Sequence, residues 1–153
     1  MTDERPSRRI LPPVWTVGFL VAEFALHRWL PVAVWLPRPW SYLGALVLLG
    51  GISLLIWALA LFRRAKTGLI PFSDATELVV AGPYRFTRNP MYLGMTSVLL
   101  GVALLLGTVT PLAAPAAFAT IITLRFIVHE EAQMERTFGA AYLDFKKRVR
   151  RWL

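Results

Sequence analysis

Gly82-Pro83-Tyr84-Arg85-Phe86-Thr87-Arg88-Asn89-Pro90-Met91-Tyr92-Leu93-Gly94 opens directly onto an apolar run that continues to Leu106. Two arginines and two tyrosines, stiffened by Gly and Pro, thereby stand at the mouth of a predicted helix. Asn89 is placed to cap that helix, and Pro90 suits its first position, where the missing N–H is not needed and the fixed φ fits a helix start. The amide groups at such a terminus and the positive end of the helix dipole favour an anion, with Arg85 and Arg88 close by to add to the field.

Working outward, apolar residues fall in blocks near 14–30, 41–62, 91–106 and 112–128, in a chain of 153 residues that is 56% hydrophobic. Long blocks, rather than the short alternation of soluble proteins, point to a membrane protein. At a rise of about 1.5 Å per residue the second block spans roughly 33 Å and the others roughly 24 to 26 Å, around the thickness of a bilayer core. The expected fold class is all-α: an integral membrane bundle of about four transmembrane helices. Glu23 and His27 interrupt the first block and more apolar segments follow it, a poor fit to a cleaved signal peptide. Glu23 and His27 are spaced to share a helix face, as a mutually satisfying pair, as partners of a neighbouring helix, or as contacts to a substrate.

The net charge of +8 gains meaning from its placement. Arg5, Arg8 and Arg9 precede the first block; Arg63, Arg64, Lys66, Arg85 and Arg88 separate the second from the third; Arg136, Lys146, Lys147, Arg148, Arg150 and Arg151 follow the fourth. The positive-inside rule puts both termini and the central connection in the cytoplasm. Basic residues that flank apolar spans, instead of forming a basic groove with stacking aromatics, argue against nucleic acid as a partner. The absence of cysteine removes disulfides and thiolate chemistry, and two scattered histidines do not make a metal site.

The connection over 63–89 is far longer than the usual link between packed helices, a length associated with lids and binding segments, and Leu78-Val79-Val80 suits a short extended piece. Past the fourth block no breaker follows Pro115 until Gly139, so that helix is expected to run beyond the membrane edge and stop there. His129-Glu130-Glu131 then stands near the cytoplasmic interface, on the same side as the Gly82–Gly94 stretch. Neighbours on a helix point about 100° apart, so one glutamate is placed to face a ligand while the other braces a loop arginine. Beyond the break, Tyr142, Phe145, Val149 and Trp152 recur every three or four residues among basic ones, which predicts a basic amphipathic helix on an anionic leaflet.

The two-part pattern GPYRxxRNPMYxG … EE … FGxxYxxFxxxVxRW, over roughly residues 60–153, resembles the membrane-embedded methyltransferases that include isoprenylcysteine carboxyl methyltransferase and the phospholipid N-methyltransferases. That resemblance implies one methyltransferase domain over 1–153, with an N-terminal anchor region over 1–40 and a cofactor-binding core over 60–153. It also implies S-adenosyl-L-methionine as methyl donor and, as acceptor, a lipophilic or lipidated molecule that enters from the bilayer. Arg88, Glu130 and Glu131 are then the expected catalytic groups. Tyr84, Arg85, Asn89, Tyr92, Gly94 and His129, together with both glutamates, are the expected cofactor contacts.

Many relatives carry His at the position of Asn89, so a role that needs an imidazole does not transfer. An isoprenylcysteine-type carboxylate acceptor needs no base, whereas an amine acceptor needs one, for which His129 and the glutamates are available. Two other readings compete. Sterol and steroid reductases share a similar Arg-(His/Asn)-Pro-x-Tyr segment but use NADPH, and a non-catalytic assembly protein would use the basic tail to dock a partner.

Overall fold

The computed structural model describes residues 11–64 and 78–153. Arg5, Arg8, Arg9 and Lys66, the last within the stretch 65–77 of the central connection, lie outside the described residues. Six α-helices are named in chain order: α1 Pro12–Trp29, α2 Leu43–Arg64, α3 Pro90–Leu106, α4 Ala113–Ile122, α5 Val128–Phe138 and α6 Ala140–Arg148. A wide π-turn, Thr123–Ile127, joins α4 to α5 without a break, and the resulting helix runs from Thr110 to Phe138. Nothing in the local sequence, neither Gly nor Pro, announces that turn.

Trp40–Arg64 and Thr110–Phe138 are long and apolar enough to cross a membrane by length and composition, and Pro90–Leu106 is apolar but shorter. Within Trp40–Arg64 only 11% of the most apolar window is covered by the rest of the protein, the opposite of a soluble core helix. Val14, Val17, Val21 and Phe24 of α1 and Leu46, Leu49, Ile56 and Trp57 of α2 also face outward. Such an apolar exterior is what hydrocarbon surroundings require. The molecule is an integral membrane helical bundle.

α2 and α3 pack backbone to backbone. A Cβ built on Gly101 would lie 2.5 Å from the Leu48 amide nitrogen, and one on Gly51 would lie 2.9 Å from the Gly94 carbonyl oxygen. Glycines allow the two helices to approach this closely, as small residues do throughout membrane bundles. Gly94, expected at the cofactor, therefore spends its lack of a side chain on α2. At the opposite end Gly107 closes α3 with φ +70°, and the turn is covered by 33–36, where Trp35 and Leu36 amides donate to the Gly107 carbonyl.

Helix α1 lies against α3 and α4 through Trp15, Phe19 and Leu20, which pack on Leu99, Phe118 and Ile122. Glu23 and His27 do not pair with each other: the His27 ring nitrogen Nδ1 lies 2.9 Å from the Thr108 hydroxyl. Glu23 is fully buried, and both its carboxyl oxygens lack a hydrogen-bond partner among the described residues.

Three local expectations change. Leu78-Val79-Val80 forms no strand. Asn89 precedes α3 but makes no capping bond; its side-chain amide donates to the Arg151 carbonyl at 2.9 Å. The helix predicted through Trp152 ends at Arg148, because Val149 is extended at φ −122°, ψ 132°. Gly139 does separate α5 from α6, at φ +51°, ψ −124°, a conformation that side chains oppose.

Candidate functional site

The mouth of α3 and the far end of the long helix meet. Arg88 Nη2 donates to Glu131 Oε1 at 2.7 Å, and Tyr92 Oη donates to Glu130 Oε1 at 2.7 Å. Between them opens a cavity with an empty volume of about 650 Å³, part of it open to solvent. Its polar wall is Tyr84, Arg88, Asn89, Tyr92, Glu130, Glu131 and Tyr142, and its apolar wall includes Phe62, Met91, Met134 and Phe145.

Five elements build this wall: a 3-10 turn, α2, α3, α5 and α6. Pro83 and Tyr84 sit in a single 3-10 turn that buries both, and Tyr84 leans on Phe62 of α2 with ring centroids 5.6 Å apart. The first turn of α3 contributes Met91 and Tyr92, α5 contributes the glutamates and Met134, and α6 contributes Tyr142 and Phe145. Hence the apolar stripe of α6 turns into the protein: Tyr142 and Phe145 are 4% and 5% exposed. Burial raises the Tyr84 phenol above its ordinary range, and the Glu130 carboxylate adds to the effect. Burial, with the Glu131 carboxylate second, pushes the Tyr142 phenol up to about 12. Both phenols thus stay neutral at physiological pH as donors lining the cavity.

The neighbouring glutamates have different electrostatic surroundings. Glu131 is held by two guanidiniums: Arg88, and Arg151 through Nε at 3.0 Å and Nη2 at 2.8 Å. Arg88 also donates to the carbonyls of Lys146 at 3.1 Å and Val149 at 2.9 Å. Its Nη1 and Nη2 are therefore committed to the protein, while the buried Nε has no hydrogen-bond partner among the described residues. Glu130 has the Tyr92 hydroxyl as its hydrogen-bond partner and forms no salt bridge among the described residues. One carboxylate braces a loop arginine; the other faces the cavity without a counter-charge, which makes the cavity receptive to a cation.

Of the residues singled out in the sequence, Tyr84, Arg88, Asn89, Tyr92, Glu130 and Glu131 come together here. Arg85 and His129 are exposed and Gly94 is buried against α2; none of the three lines the cavity. Arg85 sits on the outer side of the turn whose inner side is Tyr84, and His129 is a third of a turn from Glu130 and points away. Thr87 was not anticipated, and Arg151, present in the motif and counted in the basic tail, was not expected to hold a site residue. Thr87 is buried, and its hydroxyl donates to the Arg151 carbonyl at 3.1 Å. Tyr142 and Phe145 carried a signal, their place in the motif and their helical spacing, but that spacing suits a lipid surface equally well.

A sequence profile of the phospholipid methyltransferase family matches residues 40–141. Among solved structures, the fold is similar to that of the eukaryotic intramembrane Ras methyltransferase, isoprenylcysteine carboxyl methyltransferase. The TM-score is 0.66 at 24% identity, over 90% of this chain and 50% of that one. This chain therefore spans about half the length of that enzyme, and the likeness is one of fold. No curated protein matches the chain. The matched segment takes in both the tyrosine-lined mouth of α3 and the glutamate pair of α5, and the chain belongs to the phospholipid methyltransferase family of membrane methyltransferases.

Proposed function

We propose that the protein transfers a methyl group from S-adenosyl-L-methionine to a lipophilic acceptor, and that the cavity between α3 and α5 is the donor site. The observation that carries this is Glu130: a carboxylate with no cationic partner among the described residues, on a wall of tyrosine, phenylalanine and methionine side chains. The donor carries a sulfonium and an ammonium group, and a site with one uncompensated carboxylate and several aromatic faces suits such charges. When bound, S-adenosylmethionine supplies an activated methyl group, so the chain's task is to bind, align and exclude water.

In this reading Glu130 accepts from the donor's ammonium or ribose hydroxyls, and Tyr92 fixes the rotamer of Glu130. Tyr84 and Tyr142 flank the positive charge. Arg88, Glu131 and Asn89 hold the wall in shape. Arg85 and His129 drop out as donor contacts, which also removes His129 as a base. A single domain with an anchor over 1–40 and a donor-binding core over 60–153 is part of the proposal. So is the orientation with this cavity on the cytoplasmic side, which the distribution of Lys and Arg supports. The acceptor reaches the cavity from the bilayer as a lipid head group or an isoprenylcysteine-type carboxylate.

Isothermal titration of the purified protein with S-adenosylhomocysteine tests the donor assignment. Saturable binding is expected, with no response to NADPH. A folded sample that binds NADPH and not S-adenosylhomocysteine would replace this reading with the reductase one. Radiolabelled methyl transfer to prenylcysteine and to amine-bearing phospholipids then separates the two acceptor chemistries.

A further inference from the structure

The chain beyond α6 is not a free basic tail. Once Val149 turns extended, residues 149–152 lie as a strap across the start of α3. The Arg88 amide donates to the Arg150 carbonyl at 2.9 Å, and the Arg151 carbonyl accepts from both Thr87 and Asn89. The Trp152 indole N–H reaches the Thr123 hydroxyl at 3.3 Å, inside the π-turn. The strap thus ties the mouth of α3 to the long helix just before the glutamates.

Arg151 is the charged centre of this strap. Its fork takes both oxygens of Glu131, while Arg88 takes Oε1 from the cavity side. Oε2 has Arg151 as its partner, so without Arg151 that buried oxygen is left unsatisfied, and Glu131 is held from one side instead of two. An imperfectly paired buried carboxylate seeks a new arrangement, and the nearest alternatives are further donation from Arg88 or rotation toward the cavity. Either one disturbs the wall on which Glu130, the adjacent residue, is mounted. Arg151 itself does not line the cavity, so any influence it has passes through Glu131.

We infer that Arg151 is a positioning residue for the methyl-donor site, clamping Glu131 from outside so that Glu130 and Arg88 keep their places on the cavity wall. This rests on the donor-site reading above. The test is titration of S-adenosylhomocysteine into the wild type, R151Q, R151K, E131Q and the R151Q/E131Q double variant, with kcat and KM from methyl transfer alongside.

Loss of a bidentate, charge-assisted contact should weaken binding about tenfold in R151Q. KM for the acceptor should stay unchanged. R151K, which restores the charge but not the fork, should fall between R151Q and the wild type. In the E131Q background R151Q should add nothing further, because the pathway is already cut. Wild-type affinity in R151Q, or an equal loss with and without E131Q, would overturn the inference. If R151Q fails to fold, R151K decides: weakened affinity supports the clamp and unchanged affinity overturns it. A wild type that binds no S-adenosylhomocysteine removes the donor-site reading itself, an outcome visible before any variant is compared.

Discussion

Replacing Arg88 by alanine separates a brace from a ligand contact. Arg88 is largely buried and makes three side-chain hydrogen bonds, to Glu131 at 2.7 Å, Val149 at 2.9 Å and Lys146 at 3.1 Å. Breaking a buried ion pair from one side costs about 3–5 kcal/mol. Arg151 still holds Glu131 in the variant, which argues for the lower end, about 3 kcal/mol. For a chain of this size that corresponds to a fall in Tm of roughly 6–12 °C.

The assay is thermal unfolding in detergent, followed by tryptophan fluorescence at a fixed scan rate because membrane proteins often unfold irreversibly. Donor affinity should fall together with Tm, as the strap and the α3 mouth loosen at once. A variant within about 1 °C of the wild type that has nevertheless lost S-adenosylhomocysteine binding would refute the reasoning. Arg88 would then be a direct ligand contact.

Three further predictions follow the same logic. Glu130→Gln keeps an acceptor for Tyr92 but loses the charge, so Tm should hold while S-adenosylhomocysteine binding drops about 10–100-fold by calorimetry; unchanged affinity would exclude Glu130 as the cation partner. Gly101→Ala drives a methyl group into the Leu48 backbone and should cost about 1–3 kcal/mol. Gly50→Ala, with nothing within 4 Å, should be neutral or slightly stabilising, and equal effects of the two would contradict the close α2–α3 approach. Glu23→Leu removes a buried carboxyl with no partner among the described residues and should stabilise the bundle by about 1–3 kcal/mol in the same unfolding assay; destabilisation would mean that Glu23 has a partner beyond them.

The helices at 12–29, 43–64 and 90–106 were legible because hydrophobic blocks and breakers are local signals, and Gly139 likewise marked the end of α5. The meeting of Arg88 and Glu131 followed from topology, since a tight hairpin returns the chain to the side from which it came. What lay hidden depends on remote partners. Val149 and Trp152 continue the spacing of Tyr142 and Phe145, so nothing near Arg148 announces that the helix stops. It stops where the Thr87–Asn89 segment takes up the carbonyls of the following residues. Asn89 has the chemistry of a cap, yet its amide is spent on Arg151. The π-turn at Thr123–Ile127 has no breaker to betray it, although it receives Trp152 and immediately precedes the stretch that carries both glutamates.

The most direct measurement is an experimental structure of the protein with S-adenosylhomocysteine bound. The account predicts ligand density in the cavity walled by Tyr84, Tyr92 and Tyr142, with a donor nitrogen or ribose hydroxyl against Glu130 and with Glu131 still clamped by Arg88 and Arg151. Ligand density at another site, or Glu130 turned away from the ligand, would contradict it.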